Sequence, residues 1–508
     1  MALSIASSPD GHGHTRYCYF DDAGHQAPTL RVRPGDLLAL TLRNRITVPS
    51  DATAPAGLAS ARDPCGGGPM SASSTNLHFH GLAVPPVCHQ DETLHTLLQP
   101  GDPPFEYRVR ISADQPPGLY WYHPHVHGFS EEHLLGGASG AIVVEGTERL
   151  VPAVKNLPER ILIVRDERMP NGAPGSAADL QRPSKQLSLN YVPVPYPRYL
   201  PARLQMQPGA RELWRVLNAS ADTYLYLYLE YSGTRQLLGL VALDGVPLAR
   251  AQRSTPPPPR QTTFVFMAPG ARAEFIVQAP PAGVTGTLLT GYVDRGAGDE
   301  APAPRPGARG QDAGDHDPLR PLAEIAVAAD AHTAHPARSS STAANAAVRA
   351  PLAALRPLRT RRLYFSEAAA KPDDPNGPTL FFITEEGRAP AVFDPTRSEA
   401  DITVRQGEVE DWTIENRSRE VHTFHIHQLH FMVVARGGQV VSEPDLLDTV
   451  NLAAWRGYAG YPSVTLRMDF RDPRIVGMFP FHCHIAQHLD GGMMGTVRVL
   501  PAYAARQP

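Results

Sequence analysis

Cysteine is scarce. Cys18, Cys65, Cys88 and Cys483 are the whole complement in 508 residues, too few for a disulfide scaffold. For Cys65 and Cys88 two readings stay open, a bridge between them or two free thiols. A run of apolar residues long enough to span a bilayer is also lacking, so no transmembrane segment is expected. There is no basic surplus: Lys and Arg number 47 against 51 Asp and Glu, for a net charge of −4. That excludes the electrostatic footprint of a nucleic-acid partner or of an anionic membrane surface. The opening "MALSIASSPDGHGH" has no basic n-region, and its apolar stretch is too short for a secretory signal. A cytoplasmic protein and one whose leader has been removed both fit it.

Other features are abundant. Apolar residues make up 42% and charged residues 19%, as in folded globular proteins. The length implies about three domains. The 52 prolines and 42 glycines favour an all-β protein with many corners. A pattern of alternating strand, Gly turn, alternating strand and Asn occurs three times: "LRVRPGDLLALTLRN" from Leu30, "RLQMQPGARELWRVLN" from Arg203 and "ITVRQGEVEDWTIEN" from Ile402. The Gly-to-Asn spacing is constant: Gly35 to Asn44, Gly209 to Asn218, Gly407 to Asn416. Each copy reads as a half-buried hairpin, and together they predict three similar β domains. The predicted boundaries are 1–150, 151–295 and 358–508. Between them, 296–357 is rich in Ala, Pro, Gly and Ser and reads as a long, partly disordered linker.

Histidine is the unusual count, at 21. Four clusters hold most of the interest: "HFHG" (His78, His80), "HPH" (His123, His125), "HTFHIH" (His422, His425, His427) and "HCHIAQHLDGGM" (His482, Cys483, His484, His488, Met493). The middle unit has "TYLYLYLEY" where the third has histidines. On a strand, residues i and i+2 share a face, so each His-x-His aims two imidazoles one way. Pairs 78/80, 123/125, 425/427 and 482/484 come from the first and third units, and they converge only if those units pack together. Eight neutral nitrogen donors are more than one ion needs; three ions with room for dioxygen is a sensible count. Cys483 points to the opposite face, where it can meet His488 and His422. A His₂Cys set with a weak axial Met is a blue-copper electron-transfer site, and the Cys-x4-His-x4-Met spacing supplies Met493. A lone His-x-His carries little weight, whereas "HCHIAQHLDGGM" is specific.

The four clusters, their order and the threefold repeat resemble the three-domain multicopper oxidases: laccases, ascorbate oxidase, bilirubin oxidase and bacterial copper oxidases. The resemblance implies three cupredoxin-like Greek-key β-sandwich domains and four copper ions. His422, Cys483, His488 and Met493 would hold type 1 copper, and His78 and His425 type 2. His80, His123, His125, His427, His482 and His484 would hold the type 3 pair. Cys483, through His482 and His484, would carry electrons onward. The family has an acid shortly after the first histidine motif; here Asp91, with Glu92 beside it, is the proton-relay candidate. The partners implied are dioxygen and a phenol or aromatic amine. The alternatives are cuprous or ferrous ion, or a bilirubin-type substrate. With only 10 methionines and no Met-rich insert, the chain leans away from cuprous oxidation. A monomer is expected, in the periplasm or secreted as the family mostly is.

Several residues are set aside. His127 could orient a ligand or be a loop residue, and His430 is expected to pack within its domain. His12 and His14 read as a solvated tail, and His316, His332 and His335 as linker residues. Met494 competes with Met493 on spacing alone, and register favours Met493. Asp490 follows Leu489, which puts a relay at that place in doubt.

Overall fold

The computed structural model describes residues 1–47, 63–170, 182–248, 258–296, 316–328, 335–336, 351–371, 377–458 and 460–503. Strands dominate; the described residues add three short α-helices, Ser130–Leu135, Thr147–Leu150 and Ala486–Asp490. The strands form three cupredoxin-like sandwiches, each of two sheets around its own apolar core. In the first, Leu40 and Leu42 of one sheet meet Phe79, Tyr122 and Ile142 of the other. The period-2 pattern drives this layering, because a strand with one apolar face is stable only with that face covered.

The threefold motif is built differently from the expected hairpin. Its two arms never pair with each other; they lie in opposite sheets of one sandwich. Leu30–Val32 runs parallel to Gly140–Val144, while Leu37–Arg45 runs parallel to Ala2–Pro9. Ala202–Met206 and Arg211–Asn218 repeat the arrangement beside Arg320–Val327 and Pro158–Arg168. So do Ile402–Arg405 and Val409–Asn416, beside Met494–Leu500 and Arg359–Ala369. The Gly between the arms has φ of 93°, 69° and 101° in turn, a left-handed geometry that lets the chain cross between sheets. Alternation reports a half-buried strand but not its partner.

The motif's Asn performs one task in all three units. Asn44 Oδ1 accepts from the Ile46 N–H (2.9 Å), and its Nδ2 donates to the carbonyls of Ser73 (2.7 Å) and Leu98 (3.0 Å). Asn218 accepts from Ser220 and donates to Thr223 and Met267. Asn416 accepts from Ser418 and donates to Glu420 and Ala453. One amide satisfies three backbone groups where the strand ends and the next loop begins.

The 296–357 linker expectation needs correction. Arg320–Val327 is the closing strand of the middle sandwich, equivalent to Gly140–Val144 and Met494–Leu500, with Leu322 and Ile325 fully buried. Its apolar alternation is short and is diluted by the surrounding Ala and Pro. His316 is buried in a two-residue strand against Val293–Asp294. Residues 297–315, 329–334 and 337–350, including His332, lie outside the described residues. Cys65 and Cys88 are bridged, their Cα atoms 5.7 Å apart, which excludes the two-free-thiols reading; Cys18 and Cys483 are free.

The strands His78–His80, Leu225–Tyr231 and His422–Ile426 hold equivalent places in their sheets. The middle sandwich therefore keeps the strand and replaces the ligands with Leu and Tyr. Replacing Asn218, fully buried, with Ala should strand two carbonyls and an N–H, at about 1–3 kcal/mol for each group left unpartnered. Chemical denaturation of Asn218→Ala should show that loss as a lower midpoint.

Candidate metal centre

Strand register brings the four histidine pairs together. His78 lies opposite His123, and His425 opposite His482. The first and third sandwiches meet at these edges, so that the rings of His78 and His427 stack at 3.7 Å and those of His80 and His425 at 4.0 Å. All eight side chains are buried. Donor groups with ligand atoms within 4.8 Å of one another include His78, His80 and His123; His78, His425 and His427; and His125, His427 and His482. His484 belongs to the same cage, its ring 5.1 Å from His80 and 5.5 Å from His482.

Burial, reinforced by the neighbouring rings, holds His78, His80, His125, His425, His427 and His484 well below the ordinary imidazole pKa. Burial brings His123 to about 3 and His482 to about 4. The cage is therefore neutral and its lone pairs are available. Seven of its ring nitrogens are buried without any hydrogen-bond partner: Nε2 of His78, His123 and His425, Nδ1 of His80 and His427, and both nitrogens of His484. So many orphaned acceptors in one place would be costly in a purely structural core. They fit a set of soft-to-borderline cations that prefer imidazole.

The opposite nitrogens are fixed by hydrogen bonds that set tautomer and ring orientation. His78 Nδ1 donates to Asp91 (3.0 Å), His123 Nδ1 to the Pro124 carbonyl (2.9 Å), and His425 Nδ1 to the Asp448 carbonyl (2.7 Å). His482 Nδ1 donates to the carbonyl of Cys483 (2.8 Å), and His80 Nε2 faces Asp448 Oδ1 at 3.3 Å. Asp91 is fully buried, and burial pushes its carboxyl well up despite hydrogen bonds from the Phe79 N–H (2.8 Å) and Gln428 Nε2 (2.5 Å).

The second centre lies on the other face of the strand that carries His482 and His484. Cys483 Sγ is 3.6 Å from His422 Nδ1 and 3.7 Å from His488 Nδ1, and those two nitrogens are 3.1 Å apart. Although burial opposes it, hydrogen bonds from His422 and His488 bring the Cys483 thiol down to about 6. Met493 is fully buried in the same core as Cys483, and its carbonyl accepts from the Cys483 N–H. Met494 packs elsewhere, with Leu94 and Leu489. Carboxylates stand at the outer nitrogens: His422 Nε2 is hydrogen-bonded to the Ser418 hydroxyl (2.7 Å) with Glu367 beside it at 3.0 Å, and His488 Nε2 meets Glu420 at 3.0 Å. Phe381 stacks on the His488 ring at 4.4 Å.

Several of these groups escape sequence reasoning. Asp448 is the first. Its carboxylate is held by Arg272 of the middle sandwich through two bonds, of 2.7 and 2.6 Å. Arg272 also donates to the carbonyls of Gly270 and Asp244. Gly270 lies against His484, whose ring atoms start 2.9 Å from where a Cβ would stand. A sandwich without ligands thus supports ligands of both others. Glu367, Glu420 and Gln428 also lack a motif; Gln428 directly follows His427 with φ 61°. His430, expected to pack within its own domain, instead reaches the middle sandwich, its Nε2 donating to the Asp244 carbonyl (2.9 Å) beside Asp448 (3.4 Å). His127 lies against Phe393. His12 and His14 sit on the turn between paired strands Ala2–Pro9 and Thr15–Asp21, rather than on a tail, and their N–H groups donate to Asp10. Asp490 accepts from the N–H groups of Gly128, Ser130 and Glu131.

Removing Arg272 should leave Asp448 as an unpaired buried charge, at about 3–5 kcal/mol. Denaturation should show Arg272→Met losing that much and the double variant Arg272→Met/Asp448→Asn recovering a large part.

The comparisons agree with this geometry. Family models described as multicopper oxidase match residues 70–149 and 373–503. A multicopper oxidase from Staphylococcus aureus is 33% identical over 113 residues, which span 21% of this chain and 23% of that one. An iron transport multicopper oxidase from Epichloe festucae is 22% identical over 454 residues, 83% of this chain and 67% of its own. Among solved structures, a metallo-oxidase from Campylobacter jejuni superposes with a TM-score of 0.65 at 22% identity, covering 99% of this chain and 91% of the other. Copper, four ions per chain as type 1, type 2 and a type 3 pair, is the cofactor that the donor sets fit. Residues 70–149 and 373–503 are thus multicopper oxidase domains, and the chain as a whole has the three-sandwich fold of the multicopper oxidases it superposes on.

Proposed function

We propose that the protein oxidises a reducing substrate one electron at a time at the cysteine-containing centre and passes the electrons to dioxygen at the histidine cage. The observation that carries this reading is the placement of Cys483 between His482 and His484, with the two faces of one strand serving two centres. His422, Cys483, His488 and Met493 are assigned to type 1 copper, and His78 and His425 to type 2. His80, His123, His125, His427, His482 and His484 are assigned to the type 3 pair. When bound, the metal supplies one-electron acceptance at the first centre and four-electron reduction of dioxygen at the second.

The chain's own residues do the rest. The backbone joins Cys483 to both neighbouring histidines, and the hydrogen bond from His482 Nδ1 to the Cys483 carbonyl adds a shortcut. Asp91 fixes the His78 tautomer and is the carboxyl placed to hand protons toward the cage. Burial of all eight histidines excludes bulk water and keeps their geometry fixed.

On substrate, the carboxylates favour a small reducing cation over the phenol expected from sequence. Neither imidazole of the cysteine centre presents a bare edge: Glu367 and Glu420 cap them, with side chains 2% and 12% exposed. A carboxylate on the electron-accepting imidazole attracts a cation and bonds it directly. The phenol reading draws support from relatives named as laccases, such as one from Haloferax volcanii.

Oxygen uptake by the copper-loaded protein tests the reaction. The expected result is about four reducing equivalents per dioxygen and no peroxide, with substrate-driven uptake abolished in Cys483→Ser; peroxide release, or uptake surviving that change, would overturn the reading. With ferrous or cuprous ion and a methoxyphenol compared side by side, Glu420→Gln should raise KM for the cation about tenfold, a loss of roughly 1.4 kcal/mol, and leave the phenol's nearly unchanged.

A further inference from the structure

A second donor cluster lies outside the copper centres. Cys65, Cys88 and His89 each place one ligand atom within 4.8 Å of the other two. The sulfurs are half-buried against the first sandwich's core, and His89 is exposed. Donors around a single ion of this kind lie about 3.5–4 Å apart, so small side-chain rotations would close the set once the sulfurs part. We propose that this cluster is a redox-gated site for cuprous ion: closed as the Cys65–Cys88 disulfide, open as two thiolates and one imidazole.

His89 is held as a ligand would be. It is a non-glycine residue at φ 65°, a conformation that costs energy unless its surroundings impose it. Its ring stacks on Phe105 at 4.5 Å and 6°. Its Nδ1 donates to the Glu106 carbonyl at 2.7 Å, which leaves Nε2 as the lone-pair atom. Its own carbonyl accepts from the Arg108 N–H at 2.7 Å, so strand Phe105–Arg110 grips the residue at both ends. Cys65 is held equally well without its sulfur. Its N–H donates to Asp63 Oδ1 (3.0 Å), and the Pro64 carbonyl before it accepts from Leu97 (2.9 Å). These anchors do not depend on the S–S bond, so the donors stay together when it opens. Two thiolates and an imidazole are a soft set, suited to a monovalent copper ion rather than a hard cation.

The chemistry balances. Opening the bridge breaks one S–S bond and takes two electrons and two protons, giving two thiols; a dithiol supplies them and closes to its own disulfide. Cuprous ion then displaces the two thiol protons. The test uses the full chain carrying its four coppers, held without oxygen. A phosphine reduces the bridge, itself becoming a phosphine oxide with oxygen from water. Cuprous ion is then titrated against a coloured cuprous chelator. With the four coppers first reduced by ascorbate, so that none of them oxidises the titrant, the expected result is one more ion per chain after phosphine treatment than before it, with affinity at least tenfold weaker in His89→Asn, a residue that tolerates the left-handed backbone. In wild type the ion should also protect Cys65 and Cys88, but not Cys18, from alkylation. A reduced protein that binds no additional ion, a His89→Asn variant of equal affinity, or unprotected thiols would each overturn the proposal.

Discussion

The histidine cage depends on one buried ion pair. Arg272 reaches from the middle sandwich to grip both oxygens of Asp448 in the third. Asp448 in turn faces His80 of the first through its carboxylate and takes a hydrogen bond from His425 through its carbonyl. One pair of charges therefore fixes a ligand from each ligand-bearing sandwich. Its desolvation is offset because the guanidinium finds three carbonyls besides the carboxylate, those of Gly270, Asp244 and Leu119. The middle sandwich carries none of the ligands, yet through Arg272 it holds the carboxylate on which a ligand from each half of the cage rests.

The cage itself is an unfavourable arrangement for a protein core. Eight imidazoles are taken from water, and seven of their nitrogens have no partner in the chain. Strand pairing and the outer hydrogen bonds hold them there. This is pre-organisation: the folded β-sheets meet the cost of assembling donors, so metal binding need not. It also explains why the donors sit on strands. A strand pair fixes ring positions through its ladder, whereas a loop would leave them to chance.

The sequence carried some of this and hid the rest, for physical reasons. The eight cage histidines and the Cys483 centre were legible because i, i+2 spacing on a strand is a direct geometric statement. The three sandwiches were legible from the Gly-to-Asn repeat, although its arms pair with other strands than expected, because alternation encodes a face and not a neighbour. Arg320–Val327 was hidden by composition, since two large apolar residues among Ala and Pro do not stand out. Arg272, Asp448, Glu367 and Glu420 were hidden by distance. Arg272 meets Asp448 across 176 residues and the Asp448 carboxylate meets His80 across 368, and no local pattern records such a contact.

The two centres also differ in how they meet charge, and that bears on what the protein oxidises. Around the cage, Arg272 cancels Asp448, and the histidines are kept neutral by burial. Around the cysteine centre, two carboxylates lean on the two imidazoles from outside. Negative charge there stabilises an oxidised metal and, on the function proposed above, would draw in a positively charged donor. A neutral phenol can offer Glu420 one hydrogen bond from its hydroxyl, and the carboxylate then accepts that proton when the phenol is oxidised. A cation gains at every stage: approach, binding and the higher charge it carries after losing its electron. The same side chain can favour both, but only for the cation does it act as binding site and electron relay at once.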